Sequence, residues 1–388
     1  MATSSLIKFR TPILLILFSF ITAHLCFWLS PNVFEAWNAQ IVDQLFILRS
    51  KIEIVRPAYN NTVVHVDFNN ASIEKLSTPY LNRSHFSKLV HNLASMGVAA
   101  QVYDYIFAAK LNAIDDNALI EATREAANAY FGLALQLRPA NRRQPKKPES
   151  SKSWQYMDKT KWRVRVQGHT DQLLVGENPL AIYSELAFAS RGLGSLSVKF
   201  DRDGVLRRVP LLVRFEDAFY PLLPLRVICD YLGVSSEKIV LKPGHHLILQ
   251  GAGKSASGIR HDIMIPIDRE GNMIVNYVGP WERMDHYNFT DVLRASDDQD
   301  ELEIWKEALN GKIVVISDVS TGSADIGPVP ADAEYPLSGV HANIIHNILT
   351  ESFLKELSGW KIFLLDAVLL SILLFLSFRS SYLTFSIG

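Results

Sequence analysis

Two kinds of hydrophobic pattern divide the chain. Residues 13–29 and 362–378 are each 17 residues long and almost wholly apolar. As helices they would extend about 26 Å at ~1.5 Å per residue, the short end of what crosses a bilayer. The intervening residues carry the mixed pattern of a globular protein. Phe34, Trp37, Ile41, Leu45 and Leu48 recur at helical spacing and predict a helix leading out of the first apolar segment. Val63 to Phe68 reads as a strand. Phe86, Leu89, Val90, Leu93 and Met96 form a helical stripe, with Ser84 as the expected N-cap and Gly97 as the stop. Residues 98–107 read as a second strand, Asp115 or Asp116 as the cap of another helix, and residues 129–135 as a third strand. This β-α-β-α-β alternation predicts an α/β fold, with a mainly parallel sheet flanked by helices and placed between two transmembrane helices.

The second half predicts hairpins. Asp201-Arg202-Asp203-Gly204 and Asp268-Arg269-Glu270-Gly271 are turn sequences between apolar runs. Residues 312–317 read as another buried strand, and residues 337–349 as a loop entering a helix. Residues 138–165 interrupt the pattern with three prolines and ten Lys or Arg against two acids. They are expected to be a solvated basic insertion, or a contact for anionic headgroups or polymer.

Flanking charge sets the expected orientation. Lys8 and Arg10 precede the first apolar segment and Arg379 follows the second, which places the bulk of the chain outside the cytoplasm. The expected organisation is a cytoplasmic N-terminus (1–11), a span (12–30), an extracytoplasmic domain (31–360), a second span (361–378), and a cytoplasmic turn or the start of a third span (379–388). The expected location is a bacterial inner membrane crossed more than once, and the expected chain is a fragment of a longer receptor. The net charge of −1 offers no field for nucleic acid. Two cysteines, Cys26 and Cys229, provide no disulfide framework.

Several ordered blocks resemble a known module. They are Val63 to Asp67; Arg83-Ser84-His85; Gly97-Val98; Tyr103-Asp104-Tyr105-Ile106-Phe107; Asp201-x-Asp203-Gly204-Val205-x-Arg207-Arg208-Val209-Pro210; Ile265-Pro266-x-Asp268-x-x-Gly271; Asn276-Tyr277-x-Gly279-Pro280; Leu309-x-Gly311-Lys312-Ile313-Val314; and Gly339-Val340-His341-Ala342-Asn343. Together, over roughly residues 35–360, they resemble the second type of CHASE domain, the extracytoplasmic sensor of bacterial membrane-bound cyclases and kinases. The resemblance implies a sensing role, with a cyclase or kinase output absent from this chain. Alternatives are a stand-alone membrane protein that scaffolds a partner, and an extracytoplasmic hydrolase.

Candidate chemistry is sparse. Gly251-Ala252-Gly253-Lys254-Ser255 lacks the first glycine of a phosphate loop, since Ile248 stands there. Asp201-x-Asp203-Gly204 lacks the later oxygen ligands of a calcium loop. No Ser-His-Asp, Cys-His or metal spacing stands out, so neither catalysis nor a metal or cofactor is expected. Asp67, Asp104 and Asp325 lie at or after strand ends, where α/β sheets hold ligands. With Arg83 and His341 they form the candidate pocket for a small polar ligand or other extracytoplasmic stimulus. The other reading of these residues is helix capping and ion pairing. Within the apolar segments, His24 and Asp366 would lie at similar depth in antiparallel helices and either meet, within or between subunits, or each reach separately to the interface. The expected partners are the lipid bilayer, a second copy of the chain as a homodimer, and the output domain.

Overall fold

The computed structural model describes residues 2–139, 157, 160–255, 257–322 and 325–379. Most of the basic insertion, and the apolar tail after Arg379, lie outside the described residues. The chain forms two compact units, residues 1–42 with 355–388, and residues 43–354.

The first unit is built on the helices Ala2–Leu29 and Gly359–Arg379. Among the described residues, one helix, Gly359–Leu376, is by itself long and apolar enough to cross a membrane. The stretch Ile16–Leu29 meets that test only jointly with Phe34–Lys51, across a bend of 100°. Among the described residues, length and composition thus support a membrane-type helix at the C-terminal end and do not establish two flanking spans. The bend lies at Ser30, which leaves the helix immediately before Pro31, the first residue of the helix Pro31–Lys51. A proline disfavours helical geometry in the residue ahead of it and starts a new helix readily.

The second unit is an α/β layer structure. Its main sheet holds a parallel run in the order His286–Asn288, Val63–Phe68, Ile313–Asp318, Ala100–Tyr103, Ala129–Pro139 and Gly192–Ser195. Leu174–Leu180 pairs antiparallel with the far end of Ala129–Pro139, and Leu212–Phe215 and Ala218–Pro221 extend that side. A separate four-stranded sheet joins Arg260–Pro266, His246–Lys254, Ile239–Lys242 and Arg165–Val166. The late strand Ile313–Asp318 is inserted between Val63–Phe68 and Ala100–Tyr103. Three carboxyl ends from distant parts of the chain therefore lie side by side.

Alternation along the first strand explains the layering. Val64, Val66 and Phe68 join one core with Phe86, Leu89, Val90 and Leu93 of the helix Arg83–Ser95 and Leu119 of Ala113–Ala126. Each such fully buried side chain contributes about 1.5–3 kcal/mol through removal of apolar surface from water. Val63, His65 and Asp67 alternate to the other face. That face is covered by Ser338–Leu349, whose residues Ser338 to Ile348 are all buried.

Two details differ from the sequence reading. The caps are Asn82 and Asn112, not Ser84 and Asp115 or Asp116. Asn82 forms a reciprocal box with His85, whereas Asp116 accepts from the backbone N–H groups of Leu111 and Asn112. Both Asp/Gly turns form, with Gly204 and Gly271 at φ +83° and +88°. Their arms do not make two separate hairpins. Arg208–Pro210 and Asn272–Ile274, one arm of each, pair with one another.

Candidate functional site

The carboxyl edge of the parallel strands gathers acids and histidines. Asp67 and Ser317 are partners across adjacent strands, and Ser317 Oγ lies 3.4 Å from Asp67 Oδ1. On the other side His65 and His286 are register partners. His286 Nδ1 lies 2.7 Å from Asp67 Oδ2, and its Nε2 lies 2.9 Å from the Trp281 carbonyl oxygen. A carbonyl only accepts, so Nε2 carries a proton. His65 is fully buried, stacked at 5.0 Å on His286 and at 4.7 Å from Trp281. Neither of its ring nitrogens has a hydrogen-bond partner.

The environment divides the protonation states. Burial, followed by the nearby His286 and His341, lowers His65 well below the ordinary histidine value and keeps it neutral. Burial would also lower His286, but the hydrogen bond and charge of Asp67 outweigh it and the net shift is upward. Burial raises Asp67 against the opposing pull of His286 and Ser317.

A second group adjoins the first. Asp104 follows Ala100–Tyr103, and its N–H bonds to the Ile316 carbonyl. His341 Nε2 lies 3.5 Å from Asp104 Oδ1, and its Nδ1 is buried without a partner. Asp325 stands at the exposed rim, but its carboxyl faces Asp104. Partial burial and the Asp104 charge raise it to about 6. The Tyr105 hydroxyl is buried and unpartnered. Burial raises it, and so do the charges of Asp318, Asp104 and Asp67.

The structure therefore brings Asp67, Asp104, Asp325 and His341 to one edge. Arg83 goes elsewhere. Its Nε lies 3.6 Å from Asp116 Oδ1, and its guanidinium covers the Phe107 ring at 4.0 Å. It ties two helices together through a fully buried acid, the structural alternative for that residue. His65, His286, Ser317 and Tyr105 were not singled out from sequence. The spacing of His65 and Asp67 on a strand was the one available signal, since residues two apart share a face. A pocket of about 170 Å³ opens beside Ala100 and Asn128, at the opposite end of the strands. Its Asp230 is already held by Tyr130, Arg191 and Arg226.

In the first unit, His24 Nε2 lies 3.4 Å from Asp366 Oδ2. His24 Nδ1 lies 3.0 Å from the Phe20 carbonyl, which accepts from it, and the ring contacts Phe20 and Phe363.

This arrangement can bind and respond to a polar or charged species: buried imidazoles with free nitrogens face carboxylates at the edge where α/β folds hold ligands. It belongs to an α/β domain followed by an apolar helix. A family model described as the CHASE2 domain matches residues 15–378, nearly the whole chain, and the chain belongs to the CHASE2 family. CHASE2 domains are sensor domains, typically extracytoplasmic in membrane proteins. No curated protein and no solved structure matches the chain.

Proposed function

We propose that the chain is the sensing part of a bacterial inner-membrane receptor. The unit formed by residues 43–354 stands outside the cytoplasm, and the apolar helices hold it in the bilayer. The input site is the edge lined by Asp67, Asp104, Asp325, His65, His286 and His341. The chain acts by binding and catalyses no reaction. A ligand that distinguishes two arrangements of this edge shifts their populations by its difference in affinity. The shift passes along Ser338–Leu349 and residues 350–358 to Gly359–Arg379, and from there to a cyclase or kinase output in a homodimer.

The observation that supports this reading is the place of His341. One side of its ring meets Asp104, and the helix that carries it is the last element before the membrane-type helix. Protease treatment of intact spheroplasts tests the topology. The Tyr183 region should be cut without lysis, and protection there overturns the reading. Oxidative cross-linking through Cys26, which is exposed on its helix, tests the homodimer. A covalent dimer is expected in native membranes, and a monomeric mass by light scattering in micelles removes the dimer from the proposal.

A further inference from the structure

His65, Asp67 and His286 offer one donor atom each, and the three atoms lie within 4.8 Å of one another. We propose that these three side chains form a binding site for a divalent transition-metal ion. The metal site is argued from geometry alone. Its role as the stimulus rests on the sensor reading above.

Four features of the cluster point to a metal. Two imidazoles and a carboxylate are the donor set of zinc and its neighbours, while calcium and magnesium favour oxygen-only cages. His65 is fully buried with both nitrogens unpartnered. A buried polar group left without a bond is costly, so a native site with such a group calls for an explanation. An ion on a ring nitrogen supplies one. His286 is oriented as a ligand is: its Nε2–H donates to the Trp281 carbonyl, which turns Nδ1 toward Asp67. Such an outer hydrogen bond fixes the ring and its tautomer. Ser317 holds the far oxygen of Asp67 in the same way.

Binding is written with its proton. The ion takes the place of the proton between His286 Nδ1 and Asp67, and that proton leaves to solvent. Ligands bonded at about 2.0–2.1 Å in a tetrahedral shell sit closer together than the 4.0 Å between His65 Nδ1 and Asp67 Oδ1. The ion therefore draws Val63–Phe68 and His286–Asn288 side chains inward, next to the helix carrying His341. Solvent or a small anion completes the coordination shell.

The test uses the full chain in detergent micelles, without a histidine tag and stripped with chelator. Zn2+ titrated by calorimetry should bind at one ion per chain and raise the melting temperature. Co2+ should develop a ligand-field absorption band. His65→Gln and His286→Gln should each weaken Zn2+ by at least about tenfold and alter the Co2+ band. If a variant fails to fold, the wild type decides by itself. Histidine modification read by mass spectrometry should be slowed by Zn2+ at His286 and unchanged at His169. Absence of stoichiometric binding, or Zn2+ protection at other histidines only, overturns the site. Binding at the site without any change in Cys26 cross-linking leaves the metal site standing and removes its role as the stimulus.

Discussion

Asp43 and Arg207, 164 residues apart, meet in a two-pronged ion pair. Arg207 Nε donates to Asp43 Oδ1 at 2.9 Å and Nη2 donates to Oδ2 at 2.6 Å. The same guanidinium also donates to Asp201 and Asp203, and only 5% of the residue is exposed. Arg207 thereby fastens the turn after Phe200 to Asp43, near the middle of the helix Pro31–Lys51. Burial works against its charge, but the three carboxylates outweigh this and hold the guanidinium firmly protonated.

Removal of the cation should cost far more than removal of one anion. Arg207→Met leaves three acids facing each other, and the expected loss is about 3–5 kcal/mol, typical of an orphaned buried pair. Asp43→Asn leaves Arg207 with two carboxylates and should cost about 1 kcal/mol. Denaturant unfolding of the full chain measures both. Equal effects of the two substitutions would show that the network is not centred on Arg207.

Two asparagines one turn apart on Ser338–Leu349 replace a missing strand partner. Asn347 accepts from the Asn276 N–H at 2.8 Å and donates to its carbonyl at 2.9 Å. Asn343 accepts from the Val278 N–H at 3.0 Å. Asn347→Leu leaves both backbone groups of Asn276 buried and unmet, at about 1–3 kcal/mol each. A stability drop of about 2–6 kcal/mol is expected, with faster amide exchange at Asn276. Unchanged exchange there would refute the bridging role.

Two groups give opposite pH dependences. Burial lowers His346, whose Nδ1 accepts from the Asn60 N–H. The unfolded chain takes up this proton near pH 6.5 and the fold does not, so its contribution is intact above 6.5 and is lost as pH falls. His346→Gln should therefore flatten the acid side of the stability curve. Asp325 is raised to about 6. Its contribution is full below about pH 4 and is lost as pH rises through 6. Asp325→Asn should stabilise the protein at pH 7, with the gain vanishing by about pH 4. A gain that grows on acidification contradicts this assignment.

His24 and Asp366 should couple across the two apolar helices. A cycle with His24→Leu and Asp366→Leu, read by stability in lipid or micelles, is expected to give about 0.5–1.5 kcal/mol of interaction. Strict additivity would leave the 3.4 Å approach without energetic weight.

The readable parts of this protein were those written in local periodicity. Val63 to Phe68, the stripe from Phe86 to Met96, and the two Asp/Gly turns each follow from neighbouring residues. The placement of Asp67 and Asp104 at strand ends followed too. The course of Arg83 did not, because its partner Asp116 becomes its neighbour only when Arg83–Ser95 packs on Ala113–Ala126. The caps are ambiguous in sequence because Asn82 and Asn112 compete with nearby Ser and Asp residues of similar propensity.

The amino-acid order determined the α/β class, the apolar ends and the family, because periodicity, composition and motif order are properties of the chain itself. Tertiary structure alone decided that Ile313–Asp318 enters between two earlier strands and that His286–Asn288 lies beside Val63–Phe68. Parallel pairing joins segments far apart in the chain and leaves no turn signal to mark it. The grouping of His65, Asp67, His286, Asp104 and His341 is a consequence of that pairing.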